Sequence, residues 1–193
     1  MPKPLAAIRL MLGVLPLLAV AAAAHADDPL EGELEIRSAY AVPSHGVIML
    51  SARVGYPRSE PLSATLKDGV TLSFDLECVV SRHRRFWLDE EAVSLVRHSE
   101  LSYQVVADRY LLRNVDTSTQ ETFATLDAAL ERIGTVEEWP IAVEAMLPRD
   151  EDWQIALRAG VRRGHMPDAL RALVFWSDAW HRSSEWYTWT LVR

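Results

Sequence analysis

Residues 70–80 read VTLSFDLECVV. Val70, Leu72, Phe74, Leu76, Cys78 and Val80 occupy every second position, with Thr71, Ser73, Asp75 and Glu77 between them. Successive side chains of an extended chain point to opposite faces, so this period of two describes a strand with one packed side and one wet side. A helical repeat would instead bring apolar residues back every three or four positions. The same rhythm runs upstream. In ELEIRSAYAV (33–42) Leu34, Ile36, Tyr40 and Val42 share one side, and Glu33, Glu35 and Arg37 the other. After PSHG (43–46), Ile48, Leu50, Ala52, Val54 and Tyr56 alternate again. Two amphipathic runs joined by a short Pro/Ser/Gly turn predict an antiparallel hairpin with one buried face.

Helix punctuation separates the strands. In YPRSEPLSATLKDG (56–69), Ser59 is placed to cap free amides, Pro61 suits the first turn and Gly69 closes the end. Downstream, Val93 and Leu95, then Leu101, Tyr103 and Val105, form one extended run. A turn around Ala107-Asp108-Arg109 leads into RYLLRNV (109–115). Thr125 opens TLDAALERIG (125–134), where Leu126, Ala129, Leu130 and Ile133 recur at helical spacing before Gly134. WPIAVEAML (139–147) alternates through Trp139, Ile141, Val143, Ala145 and Leu147, with Pro140 marking a strand start or an edge. WQIALRAGVRR (153–163) turns Trp153, Ile155, Leu157 and Val161 to one face. PDALRALVF (167–175) predicts a short helical piece before a last strand, SSEWYTWTLVR. In that strand Tyr187, Trp189 and Leu191 take one side and Trp186, Thr188 and Thr190 the other. Tyr187 and Trp189 are expected in the core; Trp186 is either covered or an exposed contact residue. The expected fold class is α+β, a mainly antiparallel sheet or sandwich of seven or eight strands with two or three short helices.

The first residues have a different character. Lys3 and Arg9 precede an apolar run from Leu10 to Ala24, and Ala24-His25-Ala26 has the small-x-small pattern of a secretory cleavage site. The run is shorter than the roughly 20 residues a bilayer span needs, and Pro16 interrupts it. Residues 1–26 are thus expected to be a signal peptide cleaved after Ala26, the alternative being an uncleaved anchor. Residues 27–193 are expected to form a single β-rich domain that does not span the membrane. Losing two basic residues and no acidic one takes the formal charge from −7 to −9. That sign argues against nucleic acid or an anionic membrane as the main partner. Cys78 is the only cysteine, so no internal disulfide forms. Its place on the apolar side of a strand predicts a buried, inert thiol.

Signatures of catalysis and cofactor binding are sparse. The sequence holds no Gly-x-Ser-x-Gly elbow, no phosphate-cradling glycine loop, no dinucleotide fingerprint, no Cys-x-x-Cys and no His-Glu-x-x-His. His45, His83, His98, His165 and His181 lack ligand spacing, so neither a metal nor a cofactor is expected, and no catalytic residue is assigned. The carboxylate groups at Asp89–Glu91 and Asp150–Asp152 read as solvated turns. The strongest cluster is SRHRRFW (81–87). Arg82, Arg84 and Arg85 beside Phe86 and Trp87 would grip an anionic group or a partner's carboxylates, with Arg158, Arg162 and Arg163 extending the patch if the strands are neighbours. The competing reading is that these arginines pair with the protein's own carboxylates. With Trp186, residues 82 and 84–87 are the candidate partner-binding set.

ELEIRSAY, LKDGVTLSFDLE, RRFWLDEE and SSEWYTW, in that order from about Glu33 to Leu191, resemble the family catalogued as domain of unknown function 4390, exported proteins of Gram-negative bacteria. RRFW and SSEWYTW are the more specific of these motifs. The resemblance implies a periplasmic or envelope location and a β-rich domain, and it supplies no activity and no catalytic residues. By gene neighbourhood it points to a membrane sensor kinase of the two-component type as a signalling partner. The tail WTLVR departs from the family pattern, in which a proline or an earlier stop is expected, and this leaves the end of the last strand open. Three functions are carried forward. The first is a non-enzymatic periplasmic accessory or protein-binding module with an envelope or membrane-protein partner. The others are a carrier of an apolar or amphipathic ligand, and a hydrolase with dispersed catalytic residues.

Overall fold

The structure, a computed structural model, describes residues 30–82, 90–164 and 181–192. The hairpin leads: β1 (Glu35–Ser44) and β2 (Val47–Gly55) are antiparallel and joined by His45 and Gly46, both at positive φ. Two consecutive left-handed residues match the twist of the strands they connect, and Gly46 supplies one of them without a Cβ penalty. Helix α1 (Glu60–Lys67) begins as its sequence predicts: the Ser59 hydroxyl accepts from the Leu62 amide at 3.1 Å. Then come β3 (Leu72–Arg82), β4 (Glu90–Gln104), β5 (Arg109–Asn114) and β6 (Gln120–Phe123). Helix α2 (Leu126–Gly134), capped by Thr125, runs directly into β7 (Thr135–Val143) and a single 3-10 turn at Glu144–Met146. The last strands are β8 (Trp153–Arg163), β9 (His181–Ser183) and β10 (Tyr187–Thr190).

Two antiparallel sheets result. The smaller has the order β1-β2-β7. The larger runs β10-β8-β3-β4-β5-β6, with β9 beside β10 along the same flank of β8. Their apolar sides share one core, in which Ile48, Leu50 and Ala52 of the small sheet join Leu72, Cys78, Val80, Ile155 and Leu157 of the large one. The fold is therefore an α+β sandwich, mostly antiparallel. The short strands β6 and β9 add to the eight that alternation marks. No described helix is long and apolar enough to cross a membrane.

Three of the strands flanked on both sides, β2, β3 and β8, follow their alternation, with every apolar position named above in them buried, whereas β4 stops at Gln104 and leaves Val105 70% exposed. Three other stretches depart from expectation. In β1 the register slips between Ile36 and Ser38, leaving Arg37 as the extra residue of a bulge. Because a one-residue slip moves the rest of a strand to the opposite face, Ala41 is buried, whereas Tyr40 and Val42 are 58% and 48% exposed. In β7, bulges in its pairing with β2 and a left-handed Glu138 break the rhythm. Val143 is half exposed and Ala145 lies outside, although Leu147 returns to the core. Tyr187 was expected inside. It has the inward side of β10, opposite Leu157, but β10 is the edge of its sheet and leaves it exposed, while Trp189 is half-buried and Leu191 buried. The helix expected at 167–175 lies outside the described residues.

Candidate functional site

Alternation along β4 turns Val93, Leu95, Arg97, Ser99, Leu101 and Tyr103 toward the interior, since Arg97 lies opposite Leu76, Ser99 opposite Phe74 and Leu101 opposite Leu72. The sequence thus inserts a charge and a hydroxyl into an otherwise apolar stripe. They open a cavity of about 290 Å3 between the inner side of the large sheet and helix α2. Phe74, Leu76, Leu112 and Ile133 form its apolar wall, and Tyr56 meets Phe74 edge-on with ring centroids 5.0 Å apart. Burial, and secondarily the Asp75 charge, raise the pKa of the Tyr56 phenol well above its ordinary value. Tyr56 is thus a neutral part of the wall.

The rim is polar and largely self-satisfied. Arg132 holds Glu121 through two contacts, Nε to Oε2 at 3.2 Å and a terminal nitrogen to Oε1 at 3.0 Å. The Asn114 side-chain oxygen accepts from the Thr117 amide at 2.9 Å, and the Thr117 and Thr119 hydroxyls lie 2.8 Å apart. Asp116 accepts from the His98 amide at 2.9 Å. Arg97 is the exception: among the described residues it makes no ion pair within 4.0 Å. Burial, and then the like charge of Arg132, push its pKa below the usual guanidinium value, against the opposing pull of Asp116, Tyr56 and Glu121. This residue escaped the sequence reading. Its signal was the polar pair Arg97/Ser99 at the inward parity of a strand whose other inward residues are apolar.

The arginine and aromatic candidates separate. Arg82 ends β3 opposite Trp153, with inward parity, and is gripped by Glu90 and Glu151. Arg84, Arg85, Phe86 and Trp87 lie outside the described residues. Trp186 is 43% exposed and stands on the other side of the large sheet, where the Arg158 guanidinium sits 4.5 Å from its ring centroid. That outward side carries a charge ladder across β8, β3 and β4. Arg158 binds Glu77 at 2.6 Å, and Asp75 receives both Arg162 at 2.9 Å and His98 at 2.7 Å. Burial alone would raise the pKa of Asp75, but the hydrogen bonds from Arg162 and His98 outweigh it and hold the carboxyl below its ordinary value. The described arginines 82, 158 and 162 are therefore occupied by the protein's own carboxylates. Among the described residues no three His, Cys, Asp or Glu side chains are grouped to hold a metal ion.

A second surface lies on the outward side of the small sheet. Val42, Met49 and Pro140 line up across β1, β2 and β7, with Tyr40 on one flank and Val143 opposite Val47 on the other. Met146 follows in the 3-10 turn. Tyr40, Val42, Val143 and Met146 are all about half exposed or more. The exposed acidic residues Glu137 and Glu138 border them on β7.

The model of the family described as Domain of unknown function (DUF4390) matches residues 31–190. No curated protein and no solved structure matches the chain.

Proposed function

The chain belongs to the family Domain of unknown function (DUF4390), and from that premise we propose that it is a non-enzymatic, exported accessory module that docks another protein of the cell envelope. The observation that carries the reading is the apolar outward side of the β1-β2-β7 sheet. Tyr40, Val42, Met49, Pro140 and Val143 form one contiguous strip there, and a soluble sheet normally gives that side to polar residues. Burying such a strip supplies the dry centre of an interface; of the two flanking acids, Glu137 is paired with Arg53 at 3.7 Å, and Glu138 marks the acidic rim. Combined with the net negative charge, this fits a partner presenting an apolar ridge bordered by Lys or Arg. The leader-like first 26 residues and the family resemblance support an encounter in the periplasm, and a membrane sensor kinase is the partner to test first.

The test is site-directed photocrosslinking in cells expressing the full chain, with the crosslinker at position 40 or 42. A single discrete adduct is expected from both positions. It should disappear in a Val42→Glu/Val143→Glu double variant whose circular dichroism is unchanged. An adduct of twice the chain mass would replace the foreign partner with a second copy. Adducts that survive the double variant but vanish with Arg84→Glu and Trp87→Ala would move the interface to the 81–87 segment and overturn the assignment to the small sheet.

A further inference from the structure

We infer that the cavity between α2 and the inner side of β3, β4 and β5 binds a small amphipathic monoanion, a carboxylate on a short apolar body, with Arg97 as its counter-ion. A charge in the inward register of a strand is costly unless it is paired. Arg97 lies opposite Leu76 and forms no ion pair among the described residues. The carboxylates able to neutralise it are otherwise engaged: Glu121 accepts two contacts from Arg132, and Asp116 accepts the His98 amide. The guanidinium therefore faces the cavity with its planar fork uncommitted, the geometry that recognises a carboxylate with two parallel hydrogen bonds.

The rest of the cavity describes the rest of the ligand. Phe74, Leu76, Leu112 and Ile133 offer an apolar wall, while Ser99, two residues from Arg97 along β4, and Thr119 add hydroxyls to the lining. A volume of about 290 Å3 sits at the low end of the roughly 300–1,000 Å3 typical of small-molecule sites, so the apolar body is short. Charge count favours a single negative charge. One guanidinium is open, and Glu121 and Asp116 close by would repel a phosphate dianion more strongly than a carboxylate. This site is independent of the docking surface, which lies on the outward side of the other sheet.

Calorimetric titration of the mature chain with octanoate, 1-octanol and octyl phosphate tests the assignment. Octanoate should bind one to one. Octanol, which shares the body but not the charge, and octyl phosphate should each bind at least about tenfold more weakly, the ratio expected for losing or mismatching one charge-assisted pair. Arg97→Met keeps the length of the side chain and removes the charge; it should abolish the preference for octanoate over octanol. A readout on the unaltered chain stands beside it, because the Arg97 Nε–H resonance should shift in 15N NMR as octanoate is added. Equal binding of octanoate and octanol overturns the inference, as does an unmoved Arg97 resonance or an Arg97→Met variant that still prefers octanoate. Tighter binding of octyl phosphate would overturn the monoanion assignment.

Discussion

Cys78 shows how far one side chain is governed by its place in a strand. It is fully buried, and burial pushes its thiol pKa up to about 12. A thiol reagent should therefore leave the native protein unlabelled and react only as it unfolds, which a time course in increasing urea would record. Cys78→Ser should cost about 1–3 kcal/mol in urea unfolding, since a hydroxyl there lacks the polar surroundings it needs. Gly134 is fixed by a different contact. A Cβ at that position would stand 2.2 Å from the Val54 carbonyl oxygen, because the end of α2 lies directly on β2. Gly134→Ala must push the helix off the sheet, and a loss of about 1–3 kcal/mol is expected from thermal unfolding. Neither consequence of Gly134 is visible in a sequence, where it reads only as a helix stop. Arg37 is the residue that most misleads a reader of the sequence. As the extra residue of a bulge it turns Tyr40 and Val42 outward, and it thereby creates the apolar strip on which the docking proposal rests.

At the scale of the element, legibility followed position in the sheet. β2 lies between two partners, as do β3 and β8, and each presents one side to the core; their alternation in the sequence is their alternation in space. Edge strands are released from that constraint. β7 and β1 tolerate bulges and prolines, and β10 leaves Tyr187 in solvent. β6 carries the sequence QETF, without an apolar rhythm, and pairs only with β5, so nothing in its composition announces a strand. The candidate cavity was hidden for a different reason, since β4 lies between β3 and β5. Reading β4 as an apolar stripe passed over Arg97 and Ser99, whose importance lies in breaking the stripe. Helix starts, by contrast, were plain, because capping is a local bargain between one side chain and one amide. Ser59→Ala and Thr125→Ala should each cost about 1 kcal/mol in chemical denaturation, with additive effects, because the two caps serve separate helices.

For the molecule as a whole, the charge ladder on the large sheet ties β4, β3 and β8 together and makes stability depend on acid. Asp75 faces His98 from β4 and Arg162 from β8, and their hydrogen bonds hold its folded-state pKa below that of an ordinary aspartate despite its partial burial. A depressed carboxyl contributes stability above its unfolded pKa and loses it as pH falls through the folded value. Asp75→Asn should therefore be less stable than the wild type near neutrality. The two unfolding curves should converge as the pH drops below that of an ordinary aspartate. Parallel curves across the whole range would show that the ladder is held by packing rather than by charge. The order of strands in this sheet has a kinetic corollary. β3 meets β4 close by in the chain, but its other flank needs β8, which begins at Trp153. The main sheet cannot close until nearly the entire polypeptide is present, and such distant pairing makes for slow folding. A nascent molecule would spend that interval with β3 half-paired and its free margin open to wrong neighbours, so a folding helper that shields strand margins would act mainly before residue 163 arrives.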